Sequence, residues 1–372
     1  MMNVTPYYYR PCVPLEVCRE QEDTELLIER FCLVTVVGTT ISTISILENL
    51  FLLMFFAKSK HYCEGGSFYF MLLALSDVFV SGTYILLMSV KILYIYVNSY
   101  YLQKLWLVHK YTNFLVFIIN VFKRSFLIVF ATVERYLITI SHSFTSKLCS
   151  NRKSVALFAV FIGVFTKGTM LLEIQVQFSL KRCNNPNCNI PLSTYWLVPT
   201  SLVVNSWYYT LFRVWFRRLS TVIFPFFLLL YLNIRIIAEL RKNTHKDLRE
   251  HFSLNLLLNK VKAATRTLVF VVFSYLTGNV LNVFITLWEY IDNQGLRENF
   301  GLFYTLSVDV GTLLAVTTCV LRLPIYASCQ YELRQELRHF AAALFECHFS
   351  GRKFKGLNEL YSNDSAKNGI LL

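Results

Sequence analysis

Apolar residues in this chain gather into long, nearly unbroken runs. Seven stand out, at about residues 31 to 57, 67 to 95, 109 to 140, 154 to 178, 207 to 240, 263 to 291 and 300 to 326. Each is long enough to cross the roughly 30 Å apolar core of a bilayer, which takes about 20 residues as a helix. In lipid every backbone N–H and C=O must find a partner within the protein, so only helices and closed barrels span it. These runs are too long and too continuous to be barrel strands, which alternate over about ten residues. The pattern therefore predicts an all-α membrane protein, a seven-transmembrane helix bundle. No self-similar period and no inverted pair of interrupted segments is visible, which argues against solenoids and internally duplicated transporters.

Composition sharpens this picture. Of 372 residues, 55% are hydrophobic and 16% charged, against about a quarter charged in ordinary soluble domains. The expected layout is an N-terminal tail (1–30), a helical domain (31–346) and a C-terminal tail (347–372). The first tail carries Glu20, Glu22, Asp23, Glu25 and Glu29 and no short apolar core with a cleavage site, so the first run is expected to be its own insertion signal. Lys58 and Lys60 then mark the inner side. Lys147, Arg152 and Lys153 in the second inner segment agree, as do Arg241, Lys242, Lys246, Arg249, Lys260 and Lys262 in the third. Outer loops also carry Lys104, Lys181, Arg182, Arg217 and Arg218, so the orientation rests on an excess of basic residues inside. The expectation is a multi-pass plasma-membrane protein with its N-terminus outside and its C-terminus in the cytoplasm. The net charge of +13 then reads as attraction to the anionic inner leaflet and an acidic cytosolic partner, with nucleic acid not expected. All five tryptophans (Trp106, Trp196, Trp207, Trp215, Trp288) fall near outer ends, as interface anchors or as the lining of a ligand vestibule.

Cys12 and Cys18 in the outer tail and Cys183 and Cys188 in the second outer loop would lie in an oxidising compartment. Four cysteines allow three pairings, and at least one bridge closing the second loop is expected. Asn3-Val4-Thr5 is an outer glycosylation sequon. Cys347 follows a basic amphipathic segment and is either a palmitoylation site that pins this segment to the membrane or a plain exposed thiol.

Ionisable residues in a spanning helix are costly and default to functional or paired roles. Here they are Glu48, Asp77, Lys123, Arg124, Glu134, Arg135, Asp309 and Arg322. Arg124 and Arg135 lie eleven residues apart, close to a whole number of helical turns, so both share one face that must look into the bundle. Asp77 and Arg322, on the second and seventh runs, are their candidate partners, since a guanidinium cannot shed its charge. Asp77 is expected to pair with Arg124; Lys123 and Arg322 either join buried pairs or snorkel to an interface, and Glu48 is paired or protonated.

At this point the motifs resemble those of the rhodopsin-like G-protein-coupled receptors, from the first run to about residue 345. Glu48-Asn49 stands like the family's Gly-Asn, and Leu73-Ala74-Leu75-Ser76-Asp77 like its Leu-Ala-x-x-Asp. Glu134-Arg135-Tyr136 is similar to the Asp-Arg-Tyr signature. Pro225 lies in the fifth run, and Leu323-Pro324-Ile325-Tyr326 ends the seventh ahead of a stretch resembling the family's short amphipathic eighth helix. Within that superfamily the chain looks most like invertebrate, nematode-type FMRFamide neuropeptide receptors. Four stretches carry this: His109-Lys110-Tyr111; Glu173; Val198-Pro199-Thr200 with Tyr208; and Tyr231-Leu232-Asn233-Ile234-Arg235-Ile236-Ile237.

The resemblance implies a receptor for an extracellular amidated peptide that signals through a heterotrimeric G protein, with no enzyme activity and no cofactor or metal. It assigns coupling and switching to Glu134, Arg135, Tyr136, Asn233, Pro324 and Tyr326, and an intramembrane network to Asn49, Asp77, Arg124 and Arg322. Ligand-binding candidates are Glu173, Tyr208, Trp288, Glu289 and Asp309, with Asp292 and Tyr304 beside them. A small-molecule chemosensory receptor, or a receptor-like protein that has lost coupling, are the alternatives. The departures are clear. Arg124 stands where the superfamily usually has a serine that helps hold sodium, and Arg322 replaces the usual asparagine. The proline of the seventh run is displaced by one position. The usual tryptophans of helices four and six, the helix-six proline and the cysteine atop helix three are absent.

Overall fold

The computed structural model of the chain describes residues 26–58, 68–97, 99, 101–102, 105–106, 125–140, 154–155, 157–158, 161–162, 174–182, 191–199, 216, 219–247 and 254–350. Within them the protein is overwhelmingly helical. Four helices are long and apolar enough to cross a membrane: α1 (Leu27–Lys58), α2 (Phe68–Val97), the Ala263–Ile291 part of α5, and α6 (Gly301–Cys329). Helix α3 covers 125–140 of the third run, and α4 (Phe224–Asp247) is entered through a π-helical turn at Leu219–Ile223. Helix α5 extends over Leu254–Ile291, and α7 (Tyr331–Ser350) follows α6.

Two boundaries differ from the sequence-based expectation. The fourth run was expected to stay helical to 178, but Ile174–Arg182 is a strand, β1, paired antiparallel with β2 (Pro191–Pro199). The reason lies in Ile174-Gln175-Val176-Gln177-Phe178-Ser179-Leu180, whose strict alternation of apolar and polar residues suits a strand. Helix α5 starts nine residues earlier than its apolar run, because Leu254–Lys262 is polar enough to lie outside lipid and still contains good helix formers.

The helices turn apolar side chains outward. On α1, Ile44, Leu47, Leu50 and Met54 are exposed, whereas Gly38, Ser42, Ser45 and Asn49 are buried. On α5 the exposed residues are Phe270, Phe273, Val280, Phe284 and Leu287. Apolar faces outside and small or polar faces inside are what helices solvated by lipid require, because lipid provides no hydrophobic drive toward the interior and close packing of small residues holds the helices together.

Two apolar clusters flank a polar middle. The larger joins Leu52, Phe55 and Phe56 of α1, Phe70 and Leu73 of α2, Leu127 and Ile128 of α3, Leu268 and Val272 of α5, and Tyr326 of α6. Leu333, Leu337 and Phe340 of α7, spaced four and three residues apart, press one face onto it, and Phe340 meets the Phe51 and Phe55 rings at 5.6 Å. The smaller cluster joins Val34, Tyr84, Ile92 and Val316. Helix α6 is interrupted at Leu321, because Pro324 lacks the N–H that would bond Val320 and its ring crowds that carbonyl. Helices α5 and α6 approach closely at Gly278, where an added Cβ would run into Thr318 and lie 3.2 Å from the Leu314 carbonyl.

Gly278→Leu should therefore force α5 and α6 apart and cost about 1–3 kcal/mol, as overpacking does. Gly82→Ala, at a site with nothing within 4 Å, should be neutral or stabilising. Thermal unfolding of the two purified variants in one detergent checks the contrast.

Candidate functional site

The polar middle is built from small residues and two charges. Arg322 Nε donates to Asp77 Oδ2 at 2.6 Å, joining α6 to α2, and both side chains are almost wholly shielded. The interruption ahead of Pro324 places Arg322 on the first turn of the last segment of α6, where the helix restarts. Beside the pair, Asn49 Nδ2 donates to the Ser45 carbonyl at 2.9 Å and to the Cys319 carbonyl at 3.2 Å, tying α1 to α6. Ser81 of α2 donates to Ser45 Oγ at 2.7 Å. Three helices are thus cross-linked by hydrogen bonds at one depth. Of the network expected from sequence, Asn49, Asp77 and Arg322 come together here; Arg124 lies outside the described residues.

Toward the 291 end of α5 lies a cavity of about 310 Å³ between α3, α4, α5 and α6. One stripe of α5 lines it: Tyr275, Asn279, Asn282, Thr286 and Glu289. Their spacing of four, three, four and three residues keeps them on one helix face. Phe226 of α4 and Tyr304 and Ser307 of α6 form facing walls, and the Tyr304 hydroxyl donates to Glu289 Oε1 at 2.8 Å. A second chamber of about 140 Å³ continues between α2, α5 and α6. It shares Ser125, Tyr275, Asn279 and Asn282 with the first, and is otherwise mainly apolar, with Val80, Leu87, Met88, Ala315 and Val316. At the junction the Ser125 and Tyr275 hydroxyls are 2.8 Å apart. Gly311 makes room for the Asn282 carboxamide, whose oxygen would collide with a Cβ at that position.

The candidates named from sequence distribute unevenly over this geometry. Glu289 lines the cavity. Trp288 sits outside it, packed among Phe284, Phe300 and Phe303 with ring centroids 5.6 to 5.9 Å away. Asp309 does not line it either. It binds Arg30 of α1, Nε to Oδ2 at 2.7 Å, and so clamps the first helix to α6. Asp292 caps the short helix Asn293–Glu298 by accepting from the Gly295 N–H at 2.8 Å. Trp106 is buried, donating to the Leu87 carbonyl at 3.0 Å and packing on Tyr94 at the end of α2. Glu173, Tyr208, Asn3, Cys12, Cys18, Cys183 and Cys188 lie outside the described residues, and Cys347 lies on α7.

At the opposite end of α3, Glu134 is buried and Arg135 and Tyr136 are half-buried. The Tyr136 hydroxyl meets the Arg235 guanidinium of α4. Asn233 is buried between α4 and α5 and donates to the Val269 carbonyl at 3.5 Å, while Gln330 donates to Thr267 at 3.0 Å. Tyr326 is wholly buried, its ring 4.9 Å from Phe70 and 6.3 Å from Phe56, whereas Pro324 is exposed.

Sequence reasoning missed Tyr275, Asn279, Asn282 and Ser125. The signal was present on α5: Tyr275, Asn279, Asn282, Thr286 and Glu289 recur at helical spacing. Attention to full charges passed over them. No group of histidine, cysteine and carboxylate side chains suited to a metal occurs among the described residues. A scan against protein-family models and a search of curated proteins return no match to this chain.

Removing one member of a buried ion pair strands the other charge, at a cost of about 3–5 kcal/mol. Arg322→Met should therefore destabilise the protein strongly, and Asp77→Asn introduced alongside it should restore part of the loss. A double-mutant cycle on thermal stability measures this.

Proposed function

We propose that this chain is a seven-helix receptor of the rhodopsin-like type that binds a ligand from outside the cell and signals to a heterotrimeric G protein. The proposed ligand is the end of an amidated, FMRFamide-like peptide. The reading puts the N-terminus outside, the C-terminus in the cytoplasm and the whole chain in the plasma membrane.

The observation that carries the reading is that α5 serves both ends of the molecule. Its 38 residues span about 57 Å at 1.5 Å per residue, more than a bilayer core. One end presents Asn279, Asn282 and Glu289 to the cavity. The other packs Thr267 and Val269 against Gln330 and Asn233, beside the helix that carries Glu134, Arg135 and Tyr136. A ligand that favours one position of α5 in the cavity then favours one position at the far end, and a difference in affinity between two positions is the whole thermodynamic requirement for a switch. In this mechanism Arg135, held by its surroundings at rest, meets the G protein once α5 swings outward.

Cavity size favours a second reading within the same fold. At about 310 Å³ it lies at the small end of ligand pockets, and Glu289 is the one carboxylate among its described lining residues. This suits a small molecule, or the last residue or two of a peptide.

In cells displaying the full chain, amidated peptides are expected to evoke a dose-dependent calcium or cyclic-AMP response that Arg135→Ala abolishes at equal surface expression. Silence to every peptide at good surface display shifts the assignment to a small-molecule ligand or to an uncoupled protein. Orientation has its own test. Asn3→Gln should remove a glycosidase-sensitive mobility shift, and a wild-type chain lacking that shift while an outer epitope tag is accessible would show the sequon unused.

A further inference from the structure

The larger cavity and the inner chamber share two carboxamides of α5, Asn279 and Asn282, beside the Ser125 and Tyr275 hydroxyls, which lie 2.8 Å apart. The two asparagines are three residues apart, so they are neighbours on one helix face, with Cβ atoms about 5–6 Å apart. Their hydrogen bonding differs. Asn279 Nδ2 donates to the Tyr275 carbonyl at 2.7 Å, and since a carbonyl only accepts, this contact fixes the amide's orientation and leaves Asn279 Oδ1 as an acceptor at the cavity wall. Asn282 makes no side-chain hydrogen bond among the described residues. Its carboxamide lies against Gly311 of α6, where any Cβ would collide with its oxygen. Behind this junction Val80, Leu87, Met88, Ala315 and Val316 wall the inner chamber of about 140 Å³, close to the roughly 150 Å³ of a dry cavity that holds a benzene ring.

We infer that the junction reads a primary carboxamide on a ligand whose apolar ring fills the inner chamber. The inference rests on the receptor reading only in taking this cavity as the ligand site; its chemistry follows from a count of donors and acceptors. Asn279 contributes one acceptor, and Asn282 contributes an acceptor and an NH₂ group. A primary carboxamide is the complement of that set. Its two N–H groups serve one asparagine oxygen each, and its carbonyl accepts from Asn282 Nδ2. A carboxylate has no donor, so it would leave both asparagine oxygens facing its own, with its charge buried at the mouth of an apolar chamber. A tertiary amide likewise has no N–H, and a lone ring would strip water from both asparagines and return no hydrogen bond. A small amide without a ring would leave the inner chamber unfilled. Two neutral amides inside a spanning helix, costly where nothing pairs with them, have their use at this junction.

The test titrates the full chain in lipid nanodiscs, against empty nanodiscs, by saturation-transfer nuclear magnetic resonance. The probes are 2-phenylacetamide, its N,N-dimethyl derivative, phenylacetate and acetamide. 2-Phenylacetamide should bind at least about tenfold more tightly than each of the other three, from the paired amide in the first two comparisons and the buried ring in the third. Asn282→Leu should abolish the preference for the primary over the dimethylated amide. Gly311→Ala, which deletes no polar group, should weaken that preference by pushing the Asn282 carboxamide aside. Ala315→Phe and, separately, Leu87→Phe should fill the inner chamber and lower 2-phenylacetamide to the level of acetamide. The wild-type series decides the outcome even where a variant fails to fold. Equal binding of the primary and dimethylated amides, equal binding of phenylacetate, or no binding of 2-phenylacetamide overturns the inference. Arg135-dependent signalling to peptides in that case leaves the receptor reading standing, whereas the expected probe series in a chain that signals to no peptide fails the peptide-receptor reading alone.

Discussion

An arginine and an aspartate lie in the middle of an apolar bundle, and neither can be there without the other. Arg322 keeps its charge at any accessible pH, so once α6 is buried the guanidinium must face inward and meet a carboxylate. Asp77 provides it from α2 at 2.6 Å. This single requirement sets the rotation of two helices about their axes, and Asn49 then sets that of α1 through the Cys319 carbonyl. Apolar clusters lie on either side, and the pair forms only where the rotations of α2 and α6 bring Asp77 and Arg322 together. Replacing such a pair by well-packed apolar residues is often neutral, whereas removing one partner alone is costly.

Around that anchor the two halves of the molecule differ in texture. The half containing Phe55, Phe56, Phe70 and Tyr326 is dense with aromatic rings, and α7 seals it with Phe340. The half containing Asn279, Asn282 and Glu289 is hollow. The Arg30–Asp309 bridge fastens α1 to α6 at the hollow end. Two groups with the same formal sign, Asp309 and Glu289, therefore sit in different settings: one binds the Arg30 guanidinium, the other accepts from the Tyr304 hydroxyl at the wall of the cavity.

Much of this was legible before any coordinates. Runs of apolar residues announced long helices, and Asp77 and Arg322 were both expected in a buried charge network because neither charge is tolerable alone in lipid. The expected partner of Asp77 was Arg124, which lies outside the described residues, and the structure pairs Asp77 with Arg322. The β1–β2 hairpin was also readable, in the alternation from Ile174 to Leu180, although it was expected as the end of a helix. The cavity residues were overlooked for a different reason. Asn279, Asn282 and Tyr275 carry no net charge, and a neutral polar residue in a spanning helix is as often a local hydrogen-bonding group, as Asn279 partly is, as a ligand contact.

The sequence by itself determined the helical, lipid-suited character of the chain, because length and apolarity are properties of each segment alone, and it determined that the buried charges must pair. The tertiary structure decided which acid lines the cavity. Glu289 and Asp309 are both carboxylates near one end of the bundle; Asp309 meets Arg30, 279 residues away along the chain, and Glu289 faces the cavity. It also decided that a hollow exists at all, since an empty volume is the mismatch between neighbouring helices and belongs to none of them.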